Sequence, residues 1–255
     1  MNLIKYAFSI YIFSVWYNIK TIQCEGIKLR KSEKNNAFEN DHTRKAHQGI
    51  QQLLFNNDIE PGQKISYRMI AEKLKMSLTP VVQAFKILEF QGFVKHEPNK
   101  GYYIEPLSLQ EIKEIYELRE IIEISLLPKI IDNFDLDNIH QLNEILKRQT
   151  AGKLDLTHRL IMDRDFHITL SSISKQKIQI QTLRNLFDLL YLKYRGSRLF
   201  NSSEIIVGSQ HQMIFDAVIT RDLEKATDAM KNHFKTIKAK ALSSLSQILA
   251  GKRAS

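Results

Sequence analysis

Four side chains in the C-terminal half have types and spacing suited to holding a metal ion. In Asp163-Arg-Asp-Phe-His167 the aspartate and histidine lie four positions apart. A helix puts both on one face, and Leu170 continues the row. His211 falls in line with Ile214 and Val218, and His233 with Ala226, Met230 and Ile237. Three helices would therefore each offer a nitrogen or oxygen donor from the side that faces a core. One histidine on an apolar stripe is ordinarily a packed core residue; three of them with an acid at helical spacing are harder to place that way. Imidazole with carboxylate suits a divalent metal: zinc foremost, with nickel, manganese or iron open, rather than calcium or magnesium. His42, His47, His96, His140 and His158 share no face with this set, and Cys24, the only cysteine, excludes both an internal disulfide and a cysteine-based zinc site.

The elements that must position these donors are helices. After Pro106, glycine and proline nearly vanish and apolar residues recur at helical period to the end of the chain. Ser108-Leu-Gln-Glu111 reads as a capping box. Behind it Ile112, Ile115, Tyr116, Arg119, Ile122 and Leu126 share a face, with a break expected at Pro128–Phe134. Five further helices are expected at about 135–149, 155–174, 177–199, 203–220 and 222–248, and together they predict an antiparallel all-α bundle over residues 107–251.

Residues 41–106 read differently. A helix over His42–Phe55 is followed by the turn signal Pro61-Gly62, a second helix capped by Ser66, and a third that starts near Pro80 and is stopped by Gly92. Phe93–His96 and Tyr102–Glu105, joined through Pro98, Asn99 and Gly101, predict a β-hairpin. Three helices and a hairpin suit a winged helix-turn-helix, whose second helix-turn-helix element enters the major groove of duplex DNA. The fold class is thus mainly α, a winged helix-turn-helix followed by a helical bundle. A small α+β domain without a nucleic-acid role stays open on pattern alone.

The run Leu53…Ile59-Glu-Pro-Gly-Gln-Lys-Ile65…Ile70-Ala71…Leu74…Ser77-Leu-Thr-Pro80-Val81…Ala84…Leu88-Glu89…Gly92-Phe-Val94…Asn99-Lys-Gly101 resembles the DNA-binding domain of the GntR regulators. That resemblance implies DNA contacts from an arginine early in the second helix, matched by Arg68, and from arginines near the start of the third. Leu78 and Val82 stand where those arginines are usual, and Gln83 where glutamate is frequent. Neither Leu78 nor Val82 can make a bidentate contact to guanine, though both can touch a thymine methyl. Arg68, Thr79, Gln83, Lys86 and Lys100 remain as candidate DNA contacts.

Leu109…Ile115-Tyr-Glu-Leu-Arg119…Glu123, then Asp163-x-x-x-His167, Gln210-His211-x-x-Ile214 and Asp222-Leu-Glu-Lys-Ala226…Met230…His233-Phe234, resembles the FCD sensor domain of FadR-type GntR regulators. In the metal-binding members one aspartate and three histidines hold a divalent ion, which here implies Asp163, His167, His211 and His233. Arg119 matches an arginine of the first sensor helix and would clamp an effector carboxylate; a buried bridge from Arg119 to Glu123 is the alternative. Arg195 and Arg198 are weaker candidates for that clamp, with a surface position the favoured reading.

The formal charge of +9 favours a polyanionic partner, but the excess is spread along the chain and decides nothing alone. Residues 1–40 read as a tail and linker outside the fold. The apolar run Tyr6–Tyr17 is shorter than a bilayer span, and no small-x-small cleavage site follows it. The expectation is a cytoplasmic, homodimeric DNA-binding regulator, not an enzyme and without stable membrane association. It would read a pseudo-palindromic operator and respond to a small organic acid through a bound metal. The alternatives are a metalloenzyme using the Asp/His set, or a sensor attached to a membrane by Tyr6–Tyr17.

Overall fold

Apolar side chains at helical spacing fix most of the chain. In the computed structural model, residues 33–55, 58–59, 63–98, 101–104, 108–150, 156–194 and 204–253 are described. Lys100, expected as a DNA contact, Arg195 and Arg198, expected at the surface, the apolar run Tyr6–Tyr17 and Glu105–Leu107 all lie outside them.

The first core is built by helices α1 (Glu33–Phe55), α2 (Tyr67–Leu74) and α3 (Leu78–Phe90) with strands β1 (Lys64–Ile65), β2 (Lys95–Glu97) and β3 (Gly101–Tyr103). Ile50, Ile70, Val81, Phe85 and Leu88 are fully buried in it. Helix α1 begins at Glu33, inside the stretch expected to be linker; no proline or glycine between Glu33 and Asp41 interrupts it. Ser66 and Ser77 stand at the N-caps of α2 and α3 without a side-chain cap bond.

Helix α3 ends as expected at Gly92, which takes φ +79°. Gly92 N–H bonds to Glu89 O and Phe93 N–H to Leu88 O, so the last carbonyls are satisfied by a left-handed turn that glycine adopts without penalty. The wing is antiparallel, with order β1-β3-β2. Sequence reading missed β1, because two residues are too few for an alternation to show. Tyr102 of β3 stacks on Phe85 of α3 at 5.0 Å, and its hydroxyl donates to Glu89 Oε2 at 3.2 Å, which holds the wing against α3.

The second core is the bundle: α4 (Leu109–Asn133), α5 (Leu136–Thr150), α6 (Leu156–Ser172), α7 (Lys177–Tyr194), α8 (Glu204–Ile219) and α9 (Leu223–Arg253). Helix α4 packs against α6, α7, α8 and α9. Ser108 Oγ accepts the Glu111 N–H at 3.0 Å and starts it. The break expected at Pro128–Phe134 falls at the far end of that stretch: α4 runs through Pro128 to Asn133, and Phe134 is its C-cap. Pro128 is exposed, so the carbonyl it leaves without a donor lies on the side where water can serve it. Leu189 of α7 packs against both cores, and its Cδ2 lies 3.7 Å from where a Cβ would stand on Gly92.

Among the described residues no helix is long and apolar enough to cross a membrane.

Asp188 of α7 is buried, with Oδ1 3.4 Å from Arg164 Nη2. Burial pushes its carboxyl up to about 6, although Arg164 and Arg184 pull the other way. A folded pKa above the unfolded one means that folding takes up a proton. The stabilisation is therefore complete below the unfolded pKa and is lost as pH rises through about 6. Relative to Asp188→Asn, the wild-type chain should lose up to about 3 kcal/mol between pH 4 and pH 7. Thermal melts of both proteins across that range check this; a Tm difference independent of pH would refute it.

Candidate metal centre

Helices α6, α8 and α9 bring the four expected donors together. Asp163 and His167 come from α6, His211 from α8 and His233 from α9. One ligand atom from each lies within 4.8 Å of every other. His167 Nε2 is 3.1 Å from His233 Nε2 and 3.6 Å from Asp163 Oδ1, and His211 Nε2 is 3.4 Å from the same oxygen. Metal–nitrogen bonds of about 2.0–2.1 Å require neighbouring donors to be roughly 3.0–3.4 Å apart, so two of these separations fit one ion as they stand and the third needs a shift of a few tenths of an ångström. All three imidazoles are fully buried, whereas the Asp163 side chain is 20% exposed, which places the opening of the site at the carboxylate.

The outward nitrogens decide what the inward ones can be. Gln149 Nε2 donates to the backbone carbonyl of Met162, which turns its Oε1 towards His211 Nδ1 at 2.9 Å. A carbonyl oxygen only accepts, so Nδ1 of His211 carries the proton and Nε2 keeps its lone pair. The same logic runs on α9. The Thr236 hydroxyl donates to Asn232 O, so it accepts from Gln210 Nε2, and Gln210 Oε1 faces His233 Nδ1 at 3.2 Å. His167 Nδ1 is in close contact with the Glu123 carboxylate, which also only accepts. Every histidine is thus protonated on the outside.

Inside, His211 Nε2 is buried without a hydrogen-bond partner and faces a carboxylate oxygen. A lone pair set against an anionic oxygen suits a cation between them. The donor set fits a divalent ion.

Charge reinforces this arrangement. Burial holds His211 below the ordinary imidazole range, although Asp163 favours its charged form. Burial and the two neighbouring histidines hold His233 further below. His167 goes the other way: burial opposes its charge, but Glu123 and Asp163 outweigh burial and raise it. Of the three rings His167 is therefore the one whose charged form its neighbours favour, and a divalent ion would compete with that proton. Asp163 is held well below the carboxylate range against its burial, chiefly by His167.

Arg119 of α4 is fully buried beside this set. Its Nε donates to Glu123 Oε1 at 3.1 Å and its Nη1 lies 3.8 Å from Asp163 Oδ2. The guanidinium carbon sits 3.8 Å over the Phe187 ring. The bridge to Glu123 weighed in the sequence is present, while Nη2 is buried with no hydrogen-bond partner. Sequence reasoning did not single out Gln149, and it named Gln210 only within the motif and Glu123 only as a bridge to Arg119, not as the groups that orient the imidazoles. The available signal was a polar residue on an inward stripe: Gln149 continues Leu142, Ile145 and Leu146, and Glu123 lies one turn after Arg119.

Of the expected DNA contacts, Arg68 on α2 and Thr79, Gln83 and Lys86 on α3 are all exposed, and Gln83 Oε1 accepts from the Thr43 hydroxyl.

Residues 42–104 match the model of the "Bacterial regulatory proteins, gntR family", and residues 114–236 match the FCD domain. The chain belongs to the GntR family. It is a DNA-binding transcriptional regulator with an FCD effector domain, as the resemblance implied, and not an enzyme. The HTH-type transcriptional regulator YdhC of Bacillus subtilis (strain 168) is 26% identical over 193 residues, covering 72% of this chain and 84% of that protein. The HTH-type transcriptional repressor RspR of Escherichia coli (strain K12) is 24% identical over 182 residues, covering 70% and 79%. The solved structure of E. coli McbR/YncC is similar in fold, with TM-score 0.67 at 19% identity over 79% of this chain and 97% of that one.

Replacing His211 and His233 together by alanine should remove stoichiometric metal from the purified protein. Gln149→Ala should weaken metal binding by about 10–100-fold while leaving the ligands in place. Elemental analysis and competition with a chelator measure both; metal retained by the double variant means that the ion sits elsewhere.

Proposed function

We propose that this GntR regulator senses a small carboxylate through a divalent metal held by Asp163, His167, His211 and His233, with Arg119 pairing to the bound acid. The single observation that carries this reading is the convergence of one ligand atom from each of the four residues within 4.8 Å of one another, with the His211 and His233 rings fixed by outward hydrogen bonds. Buried charge supports an acidic effector. Glu123 and Asp163 each bring one negative charge and Arg119 one positive, so a divalent ion leaves the site with an excess of one positive charge. An effector carboxylate would cancel it, which matters because an uncompensated buried charge is strongly destabilising. The buried Nη2 of Arg119, which has no hydrogen-bond partner, is a donor that such a group would satisfy.

The ion, when bound, supplies a Lewis-acidic point for carboxylate oxygens. The residues do the rest: Gln149, Gln210 and Glu123 hold the imidazoles in register, and the buried rings exclude water from all but the Asp163 side. The effector acts on DNA binding by favouring one arrangement of the winged helix over another, since only unequal affinity for two states shifts their populations. A homodimer on a pseudo-palindromic operator, read by α3 with Arg68 and Lys86 on the backbone and Thr79 and Gln83 towards bases, completes the reading.

Arg68→Ala should weaken binding to a promoter fragment upstream of the protein's own gene and flatten its salt dependence by about one unit of slope. Titrations by fluorescence anisotropy at several salt concentrations read this directly, and an unchanged curve counts against the docking. In the same assay small carboxylates should alter DNA affinity only for metal-loaded protein. A response that survives the His211/His233 double replacement would end the metal-sensor reading.

A further inference from the structure

The core-facing side of α3 is set by Val81, Ala84, Phe85 and Leu88, all buried, which fixes the opposite side as the one presented outwards. Over the first three turns that side carries Leu78, Thr79, Gln83 and Lys86, exposed, with Val82 half-buried among them. It holds one charged group, Lys86, and no arginine. Leu78 is 45% exposed at the first position of the helix. Gln83 is tethered through its carbonyl oxygen to the Thr43 hydroxyl, while bidentate pairing with adenine needs both halves of that carboxamide.

Single exposed apolar residues are ordinary, and Ile178 and Leu136 elsewhere in this chain need no explanation. Leu78 differs by position. It starts the helix that a winged helix-turn-helix inserts into the major groove, N-terminal residues foremost. On α2, α3 and the turn between them Arg68, Lys73, Lys75 and Lys86 are exposed against Glu72 and Glu89, so the balance of exposed charge favours phosphates.

We propose that α3 specifies its operator by apolar contact, with Leu78 and Val82 seated on thymine 5-methyl groups in the major groove. The inference rests on α3 being the groove-reading helix and is independent of the metal. Among the hydrogen-bonding and apolar features of the groove floor, the thymine methyl is the one such side chains can recognise. Burying one methyl is worth about a fourfold change in affinity, well short of a bidentate arginine–guanine contact. An operator read this way needs several thymines per half-site.

The test starts by selecting duplexes from a random library with the full-length protein; the expected half-sites are rich in A·T. The selected duplex is then remade with uracil in place of thymine, which removes only the 5-methyl groups. Wild-type affinity should drop about fourfold for each methyl contacted. For Leu78→Ala, an exposed position whose folding circular dichroism can verify, the thymine-to-uracil ratio should fall towards one. Equal binding of thymine and uracil duplexes, a half-site fixed by G·C pairs, or selection without any shared sequence each overturns the proposal. Lys86→Ala separates it from its premise. If that variant weakens binding while the ratio stays at one, α3 docks but does not read methyls. If affinity is untouched, α3 is not in the groove and both fail.

Discussion

The bundle depends on holding three imidazoles in one tautomer. Each ring must give its proton to an outward acceptor so that its other nitrogen faces its neighbours, and each acceptor is itself held. Gln149 is anchored on the Met162 carbonyl, Gln210 on Thr236 and through it on Asn232 O, and Glu123 on Arg119. Two of the three chains end on helix backbone, which cannot rotate to offer another partner. The orientation of the donors is therefore a property of the secondary structure and not of side-chain choice alone.

That arrangement places several charges where water does not reach. Arg119, Glu123 and His167 are essentially without solvent contact, and Asp163 alone looks out. Burying such groups is tolerable only when each faces an opposite partner. Arg119 meets two carboxylates and the face of Phe187, and Glu123 meets both a guanidinium and an imidazole. The apolar rings around them, Phe166 stacked on His211 at 4.2 Å and Phe234 beside His233, keep the dielectric low and so strengthen these pairings.

Much of this was legible in the residues because helices write their inward face at a fixed period. Asp163, His167, His211 and His233 announced themselves as polar interruptions of apolar rows, and the structure brings their ligand atoms together. Gly92 was readable as a helix stop because a left-handed turn calls for it. What was not legible has physical causes as well. Pro128 marks only the start of the expected break, which falls at Phe134, because a proline on the solvent side of a long helix costs one bond that water replaces. Strand β1 has two residues, too few for a period. Gln149 meets Met162 and His211, and Glu123 meets His167, on other helices, and no local spacing reveals such a partner, although the Arg119–Glu123 pair one turn apart was readable.

Helix α7 carries Phe187 and Leu189 two positions apart. The first lies under the buried guanidinium of Arg119; the second is wedged against the turn at Gly92 that ends α3. A helix is stiff over half a turn, so those two neighbours share a single lever. The wing-bearing core therefore meets the bundle at the same half-turn of α7 that lies under the buried guanidinium, a contact apart from the short connector that joins them in sequence.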